Sequence, residues 1–127
     1  MDILIESTKD FEKDIDGLKD GEKAITVNTI NDCSSLFPDR EVDLYRKLRR
    51  LPLGLGLNGY ESSLYILEVS QKLRVILTVD HDPIFRQVVF TLFRVVNSED
   101  IDRAYQNIAE SLYQEILYCD RETAAIR

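Results

Sequence analysis

Arg74, Arg86 and Arg94 fall within segments that otherwise read as β-strands. A guanidinium is costly to bury unpaired, so each must reach solvent, an acidic partner or a ligand. Arg74 shares a strand face with Thr78, opposite the more apolar face that should carry helices. It has two readings: a cross-strand ion pair, with Glu68 as an available partner, or an anion-binding group on an open sheet face. Arg46-Lys47-Leu48-Arg49-Arg50 is the one dense basic cluster. It reads as a phosphate-contacting patch or as a solvated helix face that offsets an acidic neighbour. Tyr105 reads as a buried anchor for the helix that follows the last strand, or as a hydroxyl aimed back at the sheet.

Other residues with chemical potential carry less. Gly54-Leu55-Gly56-Leu57-Asn58-Gly59 matches G-x-G-x-x-G, but pyrophosphate binding needs a strand before the motif and a helix after it. The expected order here is reversed, so the run reads as a connection. His81 between Asp80 and Asp82 lacks a second His or Cys nearby, and no metal site is expected. Cys33 and Cys119 are far apart in sequence and have no paired spacing, which predicts two reduced thiols.

The elements that would position these groups follow from periodicity. Ile3-Leu4-Ile5 predicts a strand. Ser7 or Thr8 offers an N-cap to a helix with Phe11, Ile15 and Leu18 on one stripe, broken at Asp20-Gly21. Residues 22–36 are β-branched, yet they are long for a strand, and Ala24, Val27, Ile30 and Cys33 have helical spacing. A second helix, antiparallel to the first, is expected. Glu41 to Leu51 predicts a short helix with Val42, Tyr45 and Leu48 on one side, stopped by Pro52. Residues 52–63 read as a loop.

A meander follows: a strand over Leu64–Val69, a turn at Ser70–Lys72, a strand over Leu73–Val79, a turn at Asp80–Pro83, and a long interior strand over Ile84–Val96. Asn97 or Ser98 should cap a last helix whose buried stripe is Ile101, Tyr105, Ile108, Leu112 and Ile116. Residues 120–127 read as a frayed tail.

The 127 residues suit one α+β domain, and 44% hydrophobic with 31% charged residues is a globular composition. No uninterrupted apolar run spans a bilayer, and the acidic opening Met1-Asp2-Ile3-Leu4-Ile5-Glu6 does not resemble a signal peptide. A cytoplasmic protein without membrane attachment is expected. The net charge of −7 disfavours polyanions unless cations cluster locally. Residues 1–22 hold eight acids against three lysines, whereas residues 40–50 hold five basic residues against two acids. Any polyanion surface must therefore draw on the middle of the chain.

The order strand, two helices, three-strand meander and C-terminal helix resembles the RelE/ParE superfamily of bacterial type II toxins. The hairpin Leu64-Tyr65-Ile66-Leu67-Glu68-Val69 followed by Lys72-Leu73-Arg74-Val75-Ile76-Leu77 is similar to that family's hairpin. Arg94 followed by Tyr105 resembles its terminal Arg and Tyr. In ribosome-dependent members the fold implies an mRNA endonuclease, in which the ribose 2′-OH attacks the adjacent phosphate. Basic side chains stabilise the charge on the phosphorane-like transition state, and a Tyr handles a proton.

Carried over, the resemblance implies Arg74 and Arg94 as phosphate clamps and Tyr105 as an acid/base. Arg46, Lys47, Arg49 and Arg50 form the candidate RNA-binding set. No cofactor is implied. The implied partners are a small antitoxin protein and the ribosome with its mRNA, or another protein target. Tyr65 and Leu67 stand where those members carry lysines, and the chain is acidic where they are basic. A non-catalytic protein-interaction domain on the same scaffold is the alternative. A nucleotide module built on Gly54–Gly59 is a third reading.

Overall fold

The computed structural model describes residues 2–37, 39–51 and 63–112. The expected loop before Ser63 with its glycine run, together with Ile116, Cys119 and the tail 120–127, lies outside the described residues. The elements are β1 (Asp2–Ser7), α1 (Lys9–Asp16), α2 (Asp20–Ser34), α3 (Glu41–Lys47), β2 (Leu48–Arg49), β3 (Leu64–Glu68), β4 (Leu73–Asp82) and β5 (Gln87–Asn97). A single 3-10 turn, Ser98–Asp100, leads into α4 over residues 101–112. The strand, two-helix, meander and C-terminal helix order expected from the sequence is the order observed, with a small α3–β2 unit inserted.

The sheet runs β1-β5-β4-β3-β2. β1 lies parallel to β5, and the other neighbours are antiparallel. Alternation along the strands sorts side chains onto two faces. Tyr65, Leu67, Val75, Leu77, Phe90 and Leu92 pack against Phe11 of α1, Ile30 and Cys33 of α2, and Leu44 of α3. On the opposite face Leu64, Ile66 and Ile76 pack against Ala104, Tyr105 and Ala109 of α4.

Thr8 caps α1 by accepting from Phe11 N at 3.1 Å, as its position predicts. It also ties α1 to the sheet: Thr8 N donates to Leu92 O at 3.0 Å, and Thr8 Oγ1 donates to Phe93 O at 2.9 Å. β1 pairs with β5 only as far as Leu92, so α1 takes over the β5 edge where β1 stops.

Several boundaries differ from expectation. The break between the first two helices falls at Gly17, and Asp20 and Gly21 open α2. Glu22 Oε1 accepts from Lys19 N at 3.2 Å, supplying an acceptor at the start of α2. The buried side of α2 is Thr26, Ile30, Cys33 and Ser34, while Val27 is 47% exposed. Thr26 tolerates complete burial because its hydroxyl donates to Glu22 O at 2.7 Å.

The helix expected over Glu41–Leu51 ends at Lys47, because Leu48 and Arg49 pair with Leu67 and Ile66 of β3. Leu44 and Leu48 point inward, and Val42 and Tyr45 point outward. β4 continues through Asp80, His81 and Asp82, which moves the turn to residues 83–86. Asp82 Oδ1 accepts from Ile84 N at 2.9 Å and from Phe85 N at 3.2 Å, fixing that turn. Arg86 is thus a turn residue at φ 52°, not a strand residue.

Candidate functional site

The register sets the relation between the arginines. Arg74 lies opposite Glu68 on one side and Val96 on the other. Arg49, Ile66, Ile76 and Arg94 form one row across β2, β3, β4 and β5, with an irregularity in the β4–β5 pairing just after Ile76. Arg74 and Arg94 therefore sit on adjacent strands, one rung apart on the α4 face, a diagonal of roughly 7–8 Å between backbones. Arg49 and Arg94 stand at opposite ends of their row, three strand spacings or about 14 Å apart.

Arg74 and Arg94 both have protein partners. The Arg74 guanidinium donates to Ser70 O and, at 3.0 Å, to Leu73 O, and its Nη2 lies 3.8 Å from Glu68 Oε1. Arg94 makes a forked contact with Asp14 of α1, Nε at 2.6 Å and Nη2 at 3.2 Å. Asp14 Oδ2 also accepts from Val95 N at 3.0 Å. The hydrogen bond to Asp14, with the added field of Asp14 and Asp10, holds the Arg94 guanidinium above its ordinary pKa despite partial burial. Tyr105 is fully buried, and its hydroxyl donates to Leu64 O at 2.6 Å. The hydroxyl is aimed back at the sheet, and it is spent on a backbone carbonyl there.

Two clefts border these residues. One, of about 430 Å³, opens between the start of α1, β5 and α4, and is lined by Thr8, Asp10, Phe93, Arg94, Asn107, Ile108 and Ser111 among others. Among its described lining residues Arg94 is the one cation, and with Asp10 and Asp14 beside it the charge is unfavourable to an anion. The other, of about 480 Å³, lies at the β2 end of the sheet, lined by Thr29 and Asp32 of α2, Arg46 and Lys47 of α3, Arg49 of β2, and Leu67 and Glu68 of β3. Among its described lining residues three cations face two carboxylates. Asp43 lies nearby as well, 3.9 Å from Arg46 Nη1 and 2.8 Å from Arg40 Nε, and both arginines stay well exposed.

The structure thus gathers Arg46, Lys47 and Arg49 into one cleft and brings Arg74 to its margin through Glu68. Arg94 lies one strand further from the cleft than Arg74, and Tyr105 lies in the core. The fourth member of the basic cluster, Arg50, turns to Tyr65: Nη2 donates to the Tyr65 hydroxyl at 2.7 Å, with the guanidinium carbon 4.8 Å from the ring centroid. Tyr45 lies against the same ring, centroids 5.8 Å apart. Burial, then the neighbouring Tyr65 and Glu41, raise the Tyr45 pKa against a smaller opposing effect of Arg50.

Asp14, Tyr45 and Tyr65 are the participants that sequence reasoning missed. Asp14 is one of eight acids in its segment, and no local feature distinguishes it from the others.

Among the described residues no group of three or more His, Cys, Asp or Glu side chains could hold a metal ion, and no helix is long and apolar enough to cross a membrane. Cys33 is buried, and desolvation pushes its thiol up to about 11 against the smaller opposing effect of Lys47. It is therefore a packing residue and not a nucleophile.

No family model matches the chain, and no curated protein matches it. Among solved structures it is similar to a RelB-RelE antitoxin-toxin complex from Methanococcus jannaschii, with a TM-score of 0.47 and 18% identity over 79% of this chain and 98% of that chain.

Proposed function

We propose that this chain is a RelE/ParE-like toxin-type protein, controlled by a small antitoxin, that engages RNA through the basic cleft at the β2 edge. The observation that carries the reading is the convergence of Arg46, Lys47 and Arg49 from two elements on one cleft of an otherwise acidic chain. Local clustering is what a polyanion site requires when net charge is unfavourable. The hairpin resemblance and the placement of Arg74 and Arg94 one rung apart on one face also support it.

In this reading a phosphate enters along the cation-lined edge, and beyond Arg49 the next strand arginine is Arg74. Two arginines about 7–8 Å apart can flank one phosphate group. Arg94 would have to exchange its Asp14 contact for the phosphate. The ribose 2′-oxygen would attack the adjacent phosphate, losing its proton to water, and the P–O5′ bond would break to leave a 2′,3′-cyclic phosphate and a 5′-OH protonated from water, with the arginines stabilising the developing charge. Tyr105 acts as acid/base only if α4 withdraws and exposes its hydroxyl, so the cleavage step is coupled to α4.

A second reading is favoured by that same hydroxyl: its complete burial and its bond to Leu64 O suit a non-catalytic interaction domain. Controlled expression in a bacterial host separates the two. The toxin reading predicts growth arrest on induction, relieved by Arg74→Ala or Arg94→Ala. Unimpaired growth and translation despite accumulation of folded protein would leave the interaction-domain reading.

A further inference from the structure

Tyr45 is the conspicuous residue of α3 that the cleft does not absorb. It is 39% exposed, although it carries a large aromatic ring. Single exposed aromatics are common on protein surfaces, so exposure alone means little. Its setting is what matters.

The ring is backed by Tyr65, 5.8 Å away and tilted by 53°. Tyr65 is itself held by Arg50 through both its hydroxyl and its ring. Tyr45 thus leans, part-exposed, on a ring that is itself held in place. Its chain neighbours, Arg46 and Lys47, line the cation-rich cleft together with Arg49. A part-exposed aromatic ring on a held support, beside cations that can track a phosphate backbone, is the combination by which proteins hold unpaired nucleobases.

Resting on the proposed RNA reading of this edge, we infer that Tyr45 is a stacking platform for an unpaired base of single-stranded RNA whose neighbouring phosphates lie on Arg46, Lys47 and Arg49. The geometry is compatible with a short contact. α3 and β2 are consecutive, so the ring and the cleft lie within a few residues along one sheet edge. An extended RNA strand covers that length with two or three nucleotides. Stacking tolerates any base, because every base has a π-face, so the inferred specificity is for single strands and not for a sequence. Val42 is also exposed on α3. A protein partner reading the Val42 and Tyr45 side chains together is the competing occupant.

The test is equilibrium binding of a short single-stranded RNA oligomer carrying one fluorescent adenine analogue. It compares the full chain with Tyr45→Phe, Tyr45→Leu and Arg46→Glu/Lys47→Glu/Arg49→Glu, each checked for an unchanged thermal melt. Tyr45→Phe should bind within about twofold of wild type and quench the analogue equally, because the π-face remains. Tyr45→Leu should lose about tenfold or more in affinity, the usual effect of losing one stacked base, and should not quench. An oligomer abasic at the stacked position should bind wild type as weakly as intact RNA binds Tyr45→Leu.

If wild type binds, the triple charge reversal abolishes binding, and Tyr45→Leu matches wild type, the platform is overturned while the RNA reading stands. If wild type does not bind at all, both are overturned. Should Tyr45→Leu melt early, equal affinities for Tyr45→Phe and wild type without any quenching by either would still overturn the platform.

Discussion

Replacing Asp14 by alanine removes three contacts at once: the two arms of the Arg94 fork at 2.6 and 3.2 Å and the Val95 N–H at 3.0 Å. The Asp14 side chain is 18% exposed and that of Arg94 37%, so the ion pair is partly screened and is worth less than a buried one. A charge-assisted hydrogen bond at such a site contributes about 1.5–3 kcal/mol before screening, and leaving Val95 N without this acceptor costs about 1–3 kcal/mol. The contacts share one carboxylate and do not add. The expected loss is therefore about 2–4 kcal/mol, a fall in Tm on the order of 10 °C for a domain of this size.

Asp14→Asn keeps an acceptor for Val95 N and surrenders the charge, so it should lose about half as much. Urea unfolding of the three proteins measures both values. Asp14→Ala within about 0.5 kcal/mol of wild type would refute the role of Asp14 as the seal of the β5 edge. Equal losses for Asp14→Ala and Asp14→Asn would refute the division between charge and backbone contact.

Thr8→Ala removes the α1 cap and the bond to Phe93 O together, and should cost about 1–2 kcal/mol in the same unfolding assay. Arg86→Gly relieves a positive φ of 52° in the β4–β5 turn and should raise stability by about 0.5–1 kcal/mol, whereas Arg86→Val should lower it.

Cys33 has a folded pKa of about 11 against an ordinary value of 9.0. The unfolded thiol ionises first as pH rises, so its contribution is fully present below pH 9 and is lost between about 9 and 11. The loss is roughly 2–3 kcal/mol, and Cys33→Ala should flatten that part of the stability-versus-pH curve. In a Cys119→Ser background, Cys33 should also resist thiol reagents at neutral pH until the chain unfolds. Tyr105→Phe deletes the buried bond to Leu64 O and should cost about 1–2 kcal/mol of stability.

The meander was legible because the short apolar run Leu64–Leu67 and the alternation along Leu73–Val79 are local signals, and turn residues separate the strands. The pairing of β1 with β5 was not, since a parallel partner more than eighty positions away leaves no mark on Ile3-Leu4-Ile5. Hairpin boundaries slipped where apolar letters stood in the turn. Ile84 and Phe85 look like strand residues, but the Asp82 side chain captures their N–H groups, and both end up exposed at the tip.

Stripe assignments on α2 and α3 erred for a related reason. Hydrophobicity favoured Val27 and Val42, whereas burial went to Thr26 and Leu44, where the hydroxyl is internally satisfied or the geometry faces the sheet. For the site, Arg74 with Glu68 could be anticipated from their places on one hairpin. Arg94 with Asp14 could not, because their 80-residue separation is closed only by tertiary structure. The convergence of Arg46, Lys47 and Arg49 was half visible: the cluster is plain in sequence, but the switch from helix to strand at Leu48 gives it a cleft in place of a helix face.

Binding of single-stranded RNA to the purified chain across a salt series tests the central claim most directly. Three phosphate contacts from Arg46, Lys47 and Arg49 predict that the logarithm of the binding constant falls against the logarithm of salt with a slope of about −2. Replacing all three by glutamate should remove binding. No measurable binding at low salt, or binding and slope unchanged in that variant, would contradict the assignment of the β2 edge as an RNA-binding surface.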